Sequence, residues 1–281
     1  MRQKVDRAAV PSELLPGAPV ELLQDLHLLT RTGELNADAR RKLKQIRHLL
    51  QLLGPALDDV LARFPTPTVV DCGAGKSYLG FLLYVTRLRG TAASLVSIES
   101  RPELAVAAAE RAERFACPKM TFVTGTIAAA ALPERVQLVT ALHACDTATD
   151  DALVRAVNAS ADWIAVVPCC QAEVARQLGD GKRPDATLAA LSAHPWHRRE
   201  LGSHLTNVVR ALALEAHGYQ VTVTELTGWE HSLKNELILA RRVQRFDRAA
   251  QARLDELCAR FGIAPSVVRG LASRMDAPAG A

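Results

Sequence analysis

Short apolar runs that alternate with helical segments constrain the fold of this 281-residue chain more than any other feature. Five runs come first, at Val69–Val70, Leu95–Ile98, Met120–Val123, Val136–Leu142 and Trp163–Val167. Segments with the apolar spacing of a helix separate or follow them, at Tyr78–Arg89, Pro102–Phe115, Thr149–Val157 and Leu205–Ala216. Strands that alternate with helices predict an α/β fold with a parallel sheet covered on both faces.

Two further apolar runs close the pattern, at Tyr219–Leu226 and Glu236–Ala240. Residues 227–233 connect them, and that connection is too short for a parallel crossover. We therefore expect the two late strands to form an antiparallel hairpin.

Helical segments flank this core on both sides. Asn36 is placed to cap a helix from Ala37, which we expect to break at Gly54-Pro55 and to be followed by a second helix to about Phe64. Prolines 65 and 67 mark a boundary. We predict a helical region at 1–65, an α/β domain at 66–242, and a helical tail at 243–281 with Leu254, Leu257, Phe261 and Val268 as apolar contacts.

Composition narrows the class of protein. Hydrophobic residues make up 49% of the chain and charged residues 23%, which is typical of a folded protein. No stretch is long and apolar enough to span a membrane, and the N-terminus lacks a signal-peptide core, so we expect a cytoplasmic protein with no membrane partner. The net charge of +4 permits a polyanionic partner, and the sequence specifies no oligomeric state.

The strongest chemical signal is the turn Asp71-Cys72-Gly73-Ala74-Gly75-Lys76, between the first strand and the first helix. Ligands of open α/β sheets bind at such turns. A P-loop would need a glycine at Val70, and a dinucleotide fingerprint would need one at Tyr78. S-adenosylmethionine has no phosphate, and two glycines after an acid suit it, with Asp71 facing its cationic methionine end.

A second acid favours the same cofactor. Glu99 follows the second strand, where a carboxylate accepts hydrogen bonds from both ribose hydroxyls in folds of this kind. We also assign the backbone of the turn and residues at neighbouring strand ends to the cofactor. This set comprises Asp71, Gly73, Ala74, Gly75, Lys76, Glu99, Thr126, Leu142 and His143, with Lys76 equally interpretable as a surface charge.

Polar, thiol-rich segments follow the fourth and fifth strands, at His143–Asp150 and Pro168–Gln171. Asp146 or His143 is a candidate general base or acceptor-orienting group, and Cys169 is a candidate nucleophile. Lys234, between the late strands, is placed to contact an anionic acceptor or to cap the pocket. Two alternatives stay open: a metal held by His143, Cys145, Cys169 and Cys170, or cysteines that only pack.

These segments together resemble a group of class I methyltransferases. The resemblance rests on Asp71–Lys76, His143–Asp150, Pro168–Gln171, Leu205-Thr206, Gly218-Tyr219 and Lys234-Asn235. Distant relatives of the group include the eukaryotic tRNA 2′-O-methyltransferase of the acceptor stem, whose cysteine–histidine zinc module has no counterpart here. The resemblance implies a Rossmann-like sheet of seven strands, the last one antiparallel, and S-adenosylmethionine as cofactor.

Three functions compete on this basis. One is methylation of RNA, either tRNA or rRNA, with Arg40, Arg41, Lys42, Lys44 and Arg47 of the N-terminal helix contacting phosphates. Another is methylation of a protein side chain or small molecule, with the insertion from about Glu173 to Gly202 as a lid. The third is a non-catalytic, cofactor-binding scaffold.

Overall fold

The computed structural model describes residues 17–30, 37–142, 144, 146–168, 171–180, 186–226 and 236–275. The chain divides into two compact units, the first formed by residues 1–131 with 225–235 and the second by residues 132–224 with 236–281. The helices of the described ranges include none with the length and apolar composition needed to cross a bilayer.

The first unit carries three parallel strands and the helices around them. The strands are β1 (Thr68–Cys72), β2 (Ser94–Glu99) and β3 (Met120–Thr124). β1 pairs with β2 and β2 pairs with β3, and Asp71 lies level with Ser97. The helices are α1 (Val20–Asp25), α2 (Ala37–Arg63), α3 (Tyr78–Leu83), which continues as a π-helical turn (Tyr84–Leu88), and α4 (Pro102–Arg114). The strands bury aliphatic side chains, among them Val69, Val70 and Leu95.

The helix α2 corrects one expectation from the sequence. It runs without a break through Pro55, where we had expected two separate helices. Leu53, Ala56 and Leu57 are buried on both sides of this proline, while Pro55 itself faces solvent. Burial of the flanking apolar face therefore outweighs the backbone hydrogen bond that a proline removes from a helix.

The second unit contains four strands, β4 (Leu138–Leu142), β5 (Trp163–Val167), β6 (Tyr219–Glu225) and β7 (Glu236–Arg242). β4 and β5 are parallel, and β7 pairs antiparallel with β5. The strand order is β3-β2-β1-β4-β5-β7-β6, so the expected seven-stranded Rossmann-like α/β sheet with an antiparallel last strand is confirmed.

The helices of the second unit are α5 (Thr147–Asn158), α6 (Glu173–Asp180), α7 (Ala186–Leu191), α8 (Pro195–Ala216), α9 (Arg248–Phe261) and α10 (Ser266–Met275). The last two form the helical tail expected from the sequence. Of the apolar contacts named for it, Leu254 is buried while Leu257, Phe261 and Val268 are half-buried. Ile263, Val267 and Leu271 complete the buried face, so the tail packs into this unit.

Candidate functional site

The glycine-rich turn after β1 adopts a backbone that favours glycine. Gly73 and Gly75 have φ angles of 67° and 59°, in the left-handed region where a side chain causes strain. The amide of Ala74 donates to the carbonyl oxygen of Ile98 at 2.9 Å, which holds the turn against the end of β2. Asp71 is buried at the end of β1, and Lys76 is exposed. Sequence reasoning therefore located the turn correctly.

The buried Glu99 carboxylate ties the end of β2 to this turn. Its Oε2 accepts a hydrogen bond from the amide of Gly75 at 2.6 Å. Its Oε1 accepts from the amide and the Nε of Arg101, at 3.1 and 2.8 Å. Both oxygens thus have protein donors, and the ribose contact expected for Glu99 stays a prediction that would use its remaining lone pairs.

The charge state of Glu99 follows from these contacts. Burial by itself raises the pKa of this carboxyl group. Hydrogen bonds from the side chain and backbone of Arg101 and from the Gly75 amide outweigh burial and lower the pKa. Glu99 is therefore a carboxylate at neutral pH, in contact with the backbone of the glycine-rich turn.

A close contact at Gly80 was not anticipated from the sequence. A Cβ atom there would lie 2.5 Å from Ser77 Oγ and 3.2 Å from Ser97 Oγ, so α3 approaches the strand ends through a residue without a side chain. The two serine hydroxyls form a hydrogen bond with each other at 3.0 Å. A dinucleotide fingerprint would have its third glycine at position 78. In this chain the close approach is made two residues later, by Gly80 inside α3. The signal in the sequence that could have predicted this contact is a glycine within an apolar helical segment.

Two further cofactor candidates are at strand ends. The amide of Gly125 donates to the carbonyl oxygen of Glu99 at 3.0 Å, which brings the segment after β3 beside that acid. Thr126 follows it and is exposed. Leu142 is the half-buried last residue of β4 in the second unit. The cofactor roles of Thr126 and Leu142 stay predictions.

Asp146, in the second unit, has an unusual backbone and a fully engaged side chain. Its φ and ψ angles are 50° and −121°, which costs a non-glycine residue about 1–3 kcal/mol. Oδ1 accepts from the amides of Ala172 and Glu173 at 3.0 and 3.3 Å, and Oδ2 accepts from Arg176 at 3.2 Å. The carboxylate therefore caps the start of α6.

These contacts bear on the two roles considered for Asp146. Burial raises the pKa of its carboxyl group, but the Ala172 amide, the Arg176 guanidinium and the Glu173 amide together lower it. A carboxylate with a lowered pKa is a weaker base. The geometry favours an orienting role over proton abstraction, and the catalytic assignment stays a prediction.

A buried guanidinium lies at the centre of the second unit. Arg210 of α8 is 0% exposed, and its Nε is 2.7 Å from Oδ1 of the equally buried Asp150 of α5. Its Nη2 donates to the backbone oxygen of Asp146 at 3.0 Å, and its Nη1 donates to Asn207 Oδ1 at 3.2 Å. One side chain thus pairs a buried acid and also holds the strained residue before α5.

Asn207 extends this network to two more of the segments singled out from the sequence. Its Oδ1 accepts from Gln171 at 3.2 Å, and its Nδ2 donates to Glu236, the first residue of β7, at 2.8 Å. Gln171 in turn accepts from Ser203 at 2.8 Å. The segments 146–150, 171 and 236 are therefore joined through α8. Sequence reasoning missed Asn207 and Arg210, although two polar residues on a helical face beginning at Leu205 were visible.

Several predicted site residues lie outside the described residues. They are His143, Cys145, Cys169, Cys170 and Lys234. The proposals of a nucleophilic Cys169, of a metal held by His143 and the three cysteines, and of Lys234 at the acceptor therefore remain hypotheses. Of the other cysteines, Cys72, Cys117 and Cys258 are free thiols.

Residues 41–177 match the model of a family described as a methyltransferase domain. The match covers slightly less than half of the chain, including the glycine-rich turn, Glu99, Asp146 and Gln171. No curated protein is significantly similar to the sequence.

Solved structures with a similar fold include three methyltransferases. A magnesium protoporphyrin IX methyltransferase from Synechocystis with bound S-adenosylhomocysteine is 13% identical, with a TM-score of 0.48, and covers 75% of this chain and 90% of its own. An rRNA methylase from Streptococcus thermophilus is 10% identical, with a TM-score of 0.45, covering 69% and 96%. A precorrin-6y C5,15-methyltransferase from Geobacter metallireducens is 14% identical, with a TM-score of 0.40, covering 69% and 88%.

Proposed function

We propose that this protein is an S-adenosylmethionine-dependent methyltransferase that acts on RNA, either tRNA or rRNA. The observation that carries the cofactor assignment is the turn at Gly73 and Gly75, whose left-handed backbone is held by the Glu99 carboxylate. The turn lies in the region that matches the methyltransferase-domain model. The RNA assignment has separate support from the basic surface described below.

The chemistry of the turn fits this cofactor better than it fits a phosphate. Two buried acids, Asp71 and Glu99, lie beside the turn, and like charges at short range disfavour a pyrophosphate. A carboxylate suits the cationic methionine end, and a second suits ribose hydroxyls. S-adenosylmethionine, when bound, supplies a methyl group on a positively charged sulfur. The residues of the first unit that would hold it are Asp71, Gly73, Ala74, Gly75, Lys76, Glu99 and Thr126.

The basic face of α2 supports a polyanionic acceptor. Arg40, Lys44 and Arg47 are exposed, while the side chains of Arg41 and Lys42 lie outside the described residues. Exposed arginine and lysine side chains on one helix contact phosphates without reading sequence. The net charge of +4 is consistent with such a partner.

Calorimetry with S-adenosylhomocysteine tests the cofactor assignment. Asp71→Asn removes one buried charge from the turn, and we expect it to weaken binding at least tenfold, since hydrogen bonds to charged groups contribute about 1.5–3 kcal/mol. Asp255→Asn, on an exposed face of α9, is the matched control and leaves affinity unchanged. Absence of binding by the unaltered protein would remove the basis of the proposal.

The acceptor is tested by incubating the protein with methyl-labelled cofactor and a lysate from which RNA and protein are then separated. We expect label in the RNA pool that ribonuclease releases. Label confined to protein or to small molecules would overturn the RNA assignment and favour the competing acceptor class. Cofactor binding without any transfer would favour the scaffold.

A further inference from the structure

The second unit contains a cleft lined by small residues and arginines. It lies between α6 and the first turns of α8 and has a volume of about 480 Å³. Its lining includes the small residues Ala172, Ala175 and Gly179, together with three arginines, Arg176 of α6 and Arg198 and Arg199 of α8. A volume of this size is within the usual range of ligand-binding clefts.

Helix packing explains why the cleft exists. A Cβ atom at Gly202 would lie 2.6 Å from the backbone of Ala175, so α8 and α6 touch there at backbone distance. One turn further along α6, a Cβ atom at Gly179 would be 3.5 Å from the guanidinium carbon of Arg198. The two helices are thus held together at one point by small residues, and long basic side chains occupy the space beyond it.

The arginines are available to an anion. Arg199 pairs with Glu200 at 3.3 Å, and Arg176 pairs with Asp146 at 3.2 Å. All four side chains of these ion pairs are at least 34% exposed. Exposed pairs of this kind contribute only about 0–1 kcal/mol, so a phosphate can replace the carboxylate. Within the described residues, no carboxylate forms an ion pair with Arg198. Asp180 also lines the cleft and would lie near the bound strand.

An exposed aromatic ring adjoins these cations. Trp196 is 60% exposed, and the guanidinium of Arg199 lies 4.3 Å from the centroid of its ring. An exposed indole offers a flat surface on which an unpaired base stacks, and arginine and aromatic side chains together are the usual means of holding single strands. An acidic peptide would satisfy the arginines but has no base to place on the ring.

We propose that this cleft binds an unpaired RNA strand, with backbone phosphates on Arg176, Arg198 and Arg199 and one base on Trp196. The inference rests on the proposed function, because it names the surface through which the RNA acceptor is held. Arg176 also contacts Asp146, so a strand in the cleft lies next to the residue that the sequence placed at the acceptor.

Fluorescence anisotropy of a labelled 12-nucleotide single-stranded RNA of mixed sequence tests the cleft. We expect Arg198→Gln/Arg199→Gln to weaken binding at least tenfold and to reduce the salt dependence by about 0.7 per lost phosphate contact. Trp196→Ala should weaken binding about five- to 150-fold without changing the salt dependence. Arg248→Gln/Arg253→Gln on α9 is the matched control, which we expect to bind within about twofold of the unaltered protein, because both side chains are exposed and neither lines the cleft. Circular dichroism establishes that each variant is folded, and Trp196→Phe, which keeps a ring, should restore most of the affinity.

Three outcomes of the binding measurements would overturn the inference. One is loss of binding in the variant Arg40→Gln/Arg47→Gln of α2 but not in the cleft variants. Another is tighter binding of the same RNA as a duplex. The third is binding of a poly-glutamate peptide in place of RNA by the same arginines. Calorimetry with S-adenosylhomocysteine separates these from failure of the proposed function, since the cleft variants should keep normal cofactor affinity. Unchanged methyl transfer to RNA by the cleft variants would reject the cleft and leave the methyltransferase assignment intact.

Discussion

At the scale of single residues, Glu99 links the glycine-rich turn to the sheet. Its carboxylate accepts from the Gly75 amide on one side and from Arg101 on the other. The same side chain therefore shapes the backbone that would face the cofactor and supplies negative charge beside it. Removal of its charge should affect binding more than folding, because the turn keeps the contact between Ala74 and Ile98.

The variant Glu99→Gln tests this role. We expect at least a tenfold loss of affinity for S-adenosylhomocysteine, because the hydrogen bonds expected from the two ribose hydroxyls lose their charged acceptor. Calorimetry measures the loss, and Glu110→Gln, on an exposed position of α4, is the matched control. Equal affinities of the two variants would show that Glu99 has no part in the cofactor site.

At the scale of elements, α6 docks the C-terminal helices through Glu173. Its side chain accepts from the amide and hydroxyl of Ser266 at 2.9 and 2.8 Å and from Arg269 at 2.7 Å. Burial raises the pKa of Glu173, but these three donors outweigh it and lower the pKa below 4.5. The charged form is therefore the one that stabilises the docking of α10.

This shift predicts a pH dependence of stability for Glu173→Gln. A carboxyl group whose pKa is lower in the folded state than in the unfolded state stabilises the fold at pH values above its unfolded-state pKa. That stabilisation is lost as the pH falls through the folded-state pKa. We expect the variant to be about 1–3 kcal/mol less stable at pH 7 and the gap to close as the pH falls below 4.5. Urea unfolding at several pH values measures it. Glu256→Gln, exposed on α9, should show no such trend.

The ion pair between Asp150 of α5 and Arg210 of α8 predicts a larger effect on the free energy of unfolding. Arg210→Met leaves Asp150 buried without its cation, and loss of one partner of a buried ion pair costs about 3–5 kcal/mol. Burial already raises the pKa of Asp150, so the added change Asp150→Asn should recover part of the loss. Chemical unfolding gives both values. Arg253→Met, from an exposed pair with Glu215, should change stability by no more than about 1 kcal/mol.

At the scale of the whole molecule, the C-terminal tail is part of the second unit. Leu254, Ile263, Val267 and Leu271 are buried, and a Cβ atom at Gly270 would lie 2.7 Å from Val154 of α5. Each such aliphatic side chain contributes about 1.5–3 kcal/mol when buried. The sum is comparable to the stability of a typical domain.

Truncation after Arg245 should therefore prevent stable folding of the second unit. We expect the shortened chain to aggregate or to unfold at much lower urea than the full chain. Gly270→Val tests the same packing without truncation and should lower the free energy of unfolding by about 1–3 kcal/mol, because the added side chain overlaps Val154. An unchanged urea midpoint for the truncated chain would show that the tail is dispensable, and an unchanged midpoint for Gly270→Val would show that α10 does not pack tightly against Val154.

The strands, the helical tail and the glycine turn could all be predicted because each depends on local chemistry. Apolar runs bounded by turn residues form strands wherever they are covered, and Gly73 and Gly75 reach backbone angles that other residues reach only with strain. The motif segments after β4 and β5 were likewise visible as polar residues at strand ends. The residues of α8 that contact these segments, Asn207 and Arg210, were not predicted.

The tertiary structure alone decided how those segments are joined. Arg210 and Asp150 are 60 residues apart, and nothing near either of them in the sequence selects the other. A buried charge is tolerated only where a partner is brought to it, and that partner is chosen by how α5 and α8 pack. The same holds for α2, which continues through Pro55 because its neighbours on the helix are buried. Local preferences are properties of a few adjacent residues, whereas burial and pairing are properties of the assembled chain.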